Sequence, residues 1–121
     1  MDKPLPPMEG LAESAEAGAA PDLRGLVASA EEASTLLKAM GHEGRLTILC
    51  CLRTGPKSVT ELEKLLSARQ AIVSQQLARL RLEGLVSARR EGQAIFYSLL
   101  DPKAVAIIEL LAQLYDRKDD G

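Results

Sequence analysis

The stretch SVTELEKLLSARQAIVSQQLARLRLEGLVSARREGQAIFYSL, residues 58–99, decides the fold. Ser58 followed by Glu61 has the spacing of a capping box, in which each side chain bonds the other residue's backbone amide, so a helix begins there. Ser67 followed by Gln70 repeats the spacing and predicts the start of a second helix. The sequence therefore predicts two helices in close succession, joined by a short turn.

The second of these helices is followed at once by a predicted hairpin. The helix has apolar residues at helical spacing on one side and ends at Gly84. Residues 85–90 and 94–99 have the length and composition of short strands, and the polar turn Glu91-Gly92-Gln93 joins them. The inward stripe of the helix is Val73, Leu77 and Leu80.

Three more helices are predicted on either side of this stretch. Residues 26–40 and 43–53 have helical periodicity, and the second range stops at the breaker Thr54-Gly55-Pro56. Asp101 is placed to cap a last helix with Pro102 in its first position. The predicted fold is mainly α, with four helices, a β-hairpin and a C-terminal helix. The apolar stripe expected for the first helix is Leu26, Ala30, Ala33, Leu37 and Met40.

The last predicted helix indicates a second subunit, because its apolar residues cover more than one face. One face would cover the protein's own core, and the other needs a partner. The roughly 95 foldable residues also make a core that is marginal alone, so a homodimer is expected. The apolar residues of the last helix are Val105, Ile107, Ile108, Leu110, Leu111 and Leu114.

The two ends of the chain lack this patterning. Residues 1–25 are rich in Pro, Ala, Glu and Gly and predict a disordered or loosely ordered arm, while residues 118–121 form a short tail. The folded domain would span residues 26–117. No apolar run approaches the ~20 residues that span a bilayer, and the acidic N-terminus does not resemble a secretory signal. We therefore expect a cytoplasmic protein with no membrane partner.

The net charge of −2 hides an uneven distribution of charged residues. Residues 1–44 carry a net charge of −5, residues 45–93 a net charge of +5, and residues 94–121 a net charge of −2. The positive segment contains the two central helices and most of the hairpin, where a phosphate-binding surface is expected. The alternative is a basic face that only water contacts.

The central helices and hairpin have the features that a helix-turn-helix uses to read duplex DNA. Such a motif places its second helix in the major groove and lays the hairpin wing along the backbone. Arg69 and Gln70 lie near the free amides of the helix start, and Arg89 and Arg90 lie in the wing, within reach of phosphates or the minor groove. The side opposite the apolar stripe carries small or polar groups and no carboxylate: Ala71, Ser74, Gln75, Ala78 and Arg79.

Three segments together resemble the ArsR/SmtB family of winged-helix repressors. They are LKAMGHEGRLTIL (37–49), QAIVSQQLARLR (70–81) and the wing within residues 84–99, and the resemblance extends over about residues 30–115. It implies a winged helix-turn-helix homodimer, joined through the first and last helices, that represses an operon until an inducer releases it from double-stranded operator DNA. By position, base reading is implied for Gln70, Ser74 and Gln75, and many members have His where this chain has Gln76.

The predicted DNA contacts combine this resemblance with the reasoning from residue types. For any one of these residues, a merely solvated helix or hairpin surface is the competing interpretation. The combination of two helices, an uncharged polar face and two wing arginines is more specific than any member alone. The predicted DNA-binding residues are Ser67, Arg69, Gln70, Ser74, Gln75, Gln76, Arg79, Arg89, Arg90 and Gln93.

Metal sensing, for which the family is known, lacks its ligands in this chain. The third predicted helix, over residues 59–65, contains no Cys, and the last helix has Asp101 but no His after it. The one His of the chain, His42, and two adjacent Cys residues make a poor tetrahedral site. We predict no metal site and no cofactor.

The adjacent residues Cys50 and Cys51 have two interpretations: small apolar residues of a helix, or a redox-sensing thiol pair. The chain resembles the sulfide- and persulfide-responsive branch of the family, in which a second Cys on the last helix would fall near Tyr115 or Asp116, but none is present there. A small oxidant or persulfide acting on the adjacent pair is the remaining inducer. Whether a disulfide forms stays open, because consecutive Cα atoms are ~3.8 Å apart and disulfides usually need ~4.4–6.8 Å.

Other functions explain less of the sequence. We predict that the chain is not an enzyme, because it has one His and no evident Ser/His/Asp set, phosphate loop or pair of catalytic carboxylates. The alternatives are a regulator of the same family without thiol sensing, and a winged-helix module that binds a protein. DNA binding would weaken steeply as salt rises, which distinguishes it from a protein-binding module.

Overall fold

The computed structural model describes residues 23–116. Over that range six α-helices and a three-stranded antiparallel sheet form in the order expected for a winged helix-turn-helix, so the predicted fold class is confirmed. The predicted tail and all but the last three residues of the predicted arm lie outside the described range. The elements are α1 (Leu23–Ala28), α2 (Ala30–Met40), α3 (Glu43–Leu52), β1 (Lys57–Ser58), α4 (Val59–Leu66), α5 (Gln70–Leu82), β2 (Val86–Glu91), β3 (Ala94–Leu99) and α6 (Pro102–Leu114).

The first predicted helix is divided into α1 and α2 at Ser29. Leu26 and Leu37 of its apolar stripe are exposed in the single protomer, and α2 buries only its last two residues, Ala39 and Met40, in the core. The boundary between two compact units of the chain falls after Ser34, inside α2. The predicted domain boundary at residue 25 stays a prediction.

The hydrophobic core lies within the second unit and is entirely aliphatic, as a chain with so few aromatic residues requires. The predicted inward stripe of α5 is confirmed, since each of its three residues is at most 1% exposed. Truncating a fully buried leucine in such a core costs about 2–5 kcal/mol. The buried residues are Ala39, Met40, Ile48, Leu49, Leu52, Leu62, Val73, Leu77, Leu80, Leu85, Val86, Ala104 and Ile108.

Two predicted caps are confirmed in the structure. The Glu61 amide donates to Ser58 Oγ at 3.1 Å, and the Ser58 amide donates to Glu61 Oε1 at 2.8 Å, which completes the capping box of α4. At the start of α6, the Lys103 amide donates to Asp101 Oδ1 at 2.8 Å, with Pro102 in the first turn. These bonds satisfy amides that have no partner within the helix.

The sheet contains one strand more than the sequence predicted. β2 and β3 form the expected hairpin, with Val86 opposite Leu99 and Glu91 opposite Ala94. Gly92 has φ +63°, a conformation that a hairpin turn of this length requires and glycine adopts without strain. The additional strand β1 pairs with the other edge of β3, through Ser58 and Phe96, and gives the order β1-β3-β2. The start of α4 is therefore attached directly to the hairpin.

Candidate DNA interface

A sharp turn places α5 after α4. Ser67 adopts the left-handed conformation, with φ 51° and ψ 44°, and its amide donates to the Glu63 carbonyl, so it ends α4. The prediction that Ser67 caps α5 is therefore wrong. Arg69 occupies the N-cap position of α5 and makes no side-chain cap bond, which leaves the first amides of α5 without a side-chain partner. Its own DNA contact, like that of Ser67, stays a prediction.

The exposed side of α5 carries the predicted polar face of Ala71, Ser74, Gln75, Ala78 and Arg79. We call these five residues, together with Gln70 at the start of the helix, the α5 face. All six residues are exposed, while Val73, Leu77 and Leu80 hold the opposite side in the core. Within residues 23–116, the side chains of Gln70, Ser74 and Gln75 make no hydrogen bond to the protein. Their donors and acceptors are therefore available to base edges in a groove about 12 Å wide.

The arginines of α5 differ in their partners. Arg79 Nε lies 3.1 Å from Glu83 Oε2, one turn along the helix, and this exposed ion pair holds its guanidinium toward the end of α5. Arg69 and Arg81 are exposed and form no ion pair with any described residue. Arg69 lies at the start of the α5 face, where a phosphate would also meet the helix amides.

Gln76 differs from its neighbours because its side chain is half-buried. Its Oε1 accepts a hydrogen bond of 3.4 Å from Arg45 Nη1. Arg45 also donates from Nε to the Ala39 carbonyl at 2.6 Å and from Nη2 to the Lys38 carbonyl at 3.3 Å, so one guanidinium joins the end of α2 to α5. Sequence reasoning gave Arg45 no role, and the one available signal was a basic residue near the start of a helix whose later residues are mostly apolar.

The two wing arginines lie on opposite faces of the hairpin, because successive side chains of a strand alternate. Arg89 shares its face with Glu91, and Arg89 Nη2 lies 2.7 Å from Glu91 Oε2. Arg90 lies near the tip of the hairpin, on the same face as Val86 at the start of β2. Its side chain has no partner in the described part of the chain. Arg90 therefore carries the uncompensated positive charge of the wing, and Gln93 lies exposed in the adjoining turn.

Cys50 and Cys51 are free thiols near the end of α3. Cys50 is exposed, whereas Cys51 is half-buried against the core. Burial raises the pKa of the Cys50 thiol, and the positive charge of Arg53 offsets part of this effect. Burial and the neighbouring Cys50 raise the pKa of the Cys51 thiol, with Lys57 acting in the opposite direction. Both groups are therefore mainly protonated thiols at neutral pH.

Two kinds of feature were not found in the described part of the chain. No group of three or more His, Cys, Asp or Glu side chains within residues 23–116 is arranged to hold a metal ion. No helix in that range combines the length and the apolar character needed to cross a membrane.

The fold and the α5 face define a winged helix-turn-helix domain, and comparisons with known proteins give its family. A family model of arsR-type bacterial regulatory proteins matches residues 42–88. The chain is 45% identical over 98 residues to the transcriptional activator HlyU of Vibrio cholerae, with 81% of this chain and 91% of that protein covered. It is 44% identical over 95 residues to the HTH-type transcriptional regulator YgaV of Escherichia coli, with 78% and 96% covered.

A solved structure supports the same assignment. The transcriptional repressor BigR from Xylella fastidiosa matches with a TM-score of 0.75 and 36% identity over 78% of this chain and 97% of that one. The chain belongs to the ArsR family of bacterial transcription regulators, whose members are winged-helix proteins that bind operator DNA. The resemblance derived from the sequence alone is therefore confirmed.

Proposed function

We propose that the protein is a homodimeric repressor in the cytoplasm that binds duplex operator DNA with one α5 from each protomer in the major groove. The wings would lie on the flanking backbone, with Arg90 contacting phosphate or the minor groove. Repression is proposed because the similar structure of BigR is that of a transcriptional repressor, and because a bound dimer would cover promoter DNA. Release by an inducer would restore transcription.

The observation that carries this proposal is the α5 face. Gln70, Ser74 and Gln75 expose amide and hydroxyl groups that no other described side chain uses, on a helix whose far side is fixed in the core. Groups of this kind read base edges, and the absence of carboxylates avoids repulsion from phosphates. A surface selected only for hydration would not need to exclude acidic residues from this side of the helix.

The experiment that tests DNA reading compares Gln75→Ala with Gln113→Ala, a matched change at an exposed glutamine of α6. Each protein is titrated into a labelled fragment of its own promoter, and binding is followed by fluorescence anisotropy. Loss of a base contact costs about 1–3 kcal/mol, so Gln75→Ala should bind at least about fivefold more weakly and Gln113→Ala as the parent does. A parent protein that shows no specific binding at any salt concentration would favour the protein-binding module.

Dimerisation is supported by the outer side of α6. Leu110 and Leu114 are more than half exposed although they are large and apolar, and Tyr115 follows them. In a dimer these side chains would be covered by the partner, together with Leu37 of α2. Leu110→Glu with Leu114→Glu should give a monomer in analytical ultracentrifugation, while Leu65→Glu, at an equally exposed leucine of α4, should remain a dimer.

Thiol modification at Cys50 and Cys51 is the proposed inducing signal. The Cys50 thiolate would attack a peroxide, breaking the O–O bond and releasing water after protonation, which leaves a sulfenic acid. The Cys51 thiol could then displace a second water and form a disulfide, which requires α3 to distort locally. The exposure of Cys50 supports access, whereas the raised pKa of both thiols predicts slow reaction.

The thiol proposal is tested by operator binding of reduced, peroxide-treated and persulfide-treated protein, measured together. The parent should lose affinity after treatment, and Cys50→Ser with Cys51→Ser should not. Mass spectrometry of the treated parent identifies the modified residue and any disulfide. If the double variant and the parent respond alike, the protein is a regulator without thiol sensing.

A further inference from the structure

A cavity of about 420 Å³ lies between the start of α3, the end of α4 and the first turns of α5. Small-molecule sites commonly have volumes of about 300–1,000 Å³, so this cavity is large enough for a compact ligand. Its apolar wall includes Ile48 and Val73, which are buried, and Ile72, which is exposed at the opening. The thiol proposal does not use this space, and of the predicted DNA-binding residues only Gln76 lines it.

Two hydrogen-bond donors line the cavity without a partner among the described residues. His42 Nδ1 accepts a hydrogen bond from the Gly44 amide at 3.1 Å, so the neutral ring carries its proton on Nε2. Gln76 Oε1 accepts from Arg45, which fixes the amide so that its Nε2 group is left to donate. Both side chains line the cavity.

The absence of a side chain at Gly44 keeps these two donors open to the same space. A Cβ atom placed at Gly44 would lie 3.2 Å from His42 Cε1 and 3.7 Å from Gln76 Nε2. The imidazole of His42 and the amide of Gln76 therefore both border the space that a side chain at Gly44 would occupy. Glu43 also lines the cavity, and its carboxylate would repel an anion. The neighbouring cation, Arg45, does not line the cavity, and its guanidinium is already bonded to the carbonyls of Lys38 and Ala39 and to Gln76.

We propose that this cavity binds a small uncharged molecule with an apolar body and a carbonyl oxygen, and that the ligand regulates DNA binding. The carbonyl would accept from His42 Nε2 and Gln76 Nε2, while Ile48, Ile72 and Val73 contact the apolar body. Regulation rests on the proposed DNA-binding function, because Ile72, Val73 and Gln76 belong to α5. A ligand between α3 and α5 would change how α5 is held against the rest of the domain.

Benzamide is a suitable probe, because it is flat and uncharged and has one carbonyl, and benzoate is its anionic counterpart. Both are titrated into the full-length, ¹⁵N-labelled protein without DNA, and amide resonances are followed by NMR. Benzamide should shift the resonances of Gly44, Thr47 and Gln76 saturably with a Kd on the order of millimolar, as expected for so small a ligand. Benzoate should bind about fivefold more weakly, the effect of one like charge nearby in water. No saturable shift with benzamide would overturn the proposal.

Variants then test the location of the site. Thr47→Trp places a large side chain at the cavity and should weaken benzamide binding by at least about tenfold, whereas Thr60→Trp, at an exposed threonine of α4, should not. His42→Asn keeps an N-cap residue for α3 but removes the Nε2 donor, so binding should weaken about 2- to 12-fold. Equal binding by Thr47→Trp and Thr60→Trp would place the ligand elsewhere and refute the site.

Operator affinity measured with saturating benzamide separates the site from its regulatory role. A change in the parent that is absent in Thr47→Trp supports regulation through the cavity. NMR binding with no change in operator affinity would overturn the regulatory role alone. If the parent fails to bind DNA at all, the proposed function fails, while the NMR result still decides whether the site exists.

Discussion

Arg90 is the residue at which the electrostatic contribution to DNA binding is best measured. Its side chain has no partner in residues 23–116, so its full charge is available to phosphate. Arg89 is a poorer probe, because Glu91 lies 2.7 Å from it and compensates its charge. The substitution Arg90→Ala removes one uncompensated cation from each wing without touching the core.

The expected magnitude follows from counterion release. Each phosphate charge that a protein neutralises contributes about −0.9 to the slope of log K against log salt concentration. A homodimer contains Arg90 twice, so the slope of Arg90→Ala should be less steep than that of the parent by about 1.8. Between about 50 mM and 200 mM salt, the parent should therefore lose about 12-fold more affinity than the variant.

Fluorescence anisotropy with the promoter fragment, repeated at five or more salt concentrations, measures both slopes. Lys38→Ala is the matched control, since Lys38 is an exposed cation of α2 and belongs neither to α5 nor to the wing. Its slope should equal that of the parent. If Arg90→Ala also keeps the parental slope, the wing does not contact phosphate through Arg90, and the assignment of the wing is wrong.

Three further predictions concern stability and thiol chemistry. Leu77→Ala should lower the free energy of unfolding in urea by about 3 kcal/mol, because Leu77 is fully buried, and a loss below about 1 kcal/mol would contradict the core described above. In the same assay, Ser58→Ala should lower the free energy of unfolding by about 1 kcal/mol, whereas Ser67→Ala, which removes no N-cap bond, should lower it by under about 0.5 kcal/mol. Equal losses in the two variants would contradict the cap assignment. Alkylation of Cys50 by iodoacetamide, followed by mass spectrometry, should still accelerate at about pH 9, because burial raises the thiol pKa and only the thiolate reacts; a plateau near neutral pH would contradict this.

The two capping patterns show what local sequence can and cannot predict. Ser58 and Glu61 form the predicted box, while Ser67 and Gln70, with similar spacing, do not. Ser67 directly follows the last residue of α4, so its backbone is used to end that helix in the left-handed conformation. The pattern does not distinguish the end of one helix from the start of the next when only three residues separate them.

Local sequence reasoning likewise did not predict that Gln75 is exposed while Gln76 is half-buried. Periodicity predicts that Val73, Leu77 and Leu80 face inward, and this places Gln75 on the outer side. Gln76 lies at the edge of the stripe, where its exposure depends on how α3 crosses α5. Arg45 of α3 determines its contact, and that contact joins residues 31 positions apart. Base reading by Gln75 and its neighbours stays a prediction.

The strand β1 and the break at Ser29 were missed for a related reason. β1 has two residues, too few to show an alternating pattern, and it forms only because β3 offers a free edge. At the break, the Ser29 amide still donates to the Gly25 carbonyl and the Ala33 amide donates to the Ser29 carbonyl. The helical periodicity of the apolar residues therefore continues across Ser29. The strongly periodic α5 and the capped α6 were predictable, whereas features set by distant partners were not.

The Arg45 guanidinium has a consequence for substitutions that preserve charge. Its three nitrogens reach the carbonyls of Lys38 and Ala39 and the amide oxygen of Gln76 simultaneously. A lysine has a single ammonium group and lacks this planar, forked arrangement of donors. Arg45→Lys would therefore retain the cation yet let α5 tilt against α2. In the proposed dimer, the angle at which the two α5 helices meet DNA would then depend on the shape of this side chain more than on its charge.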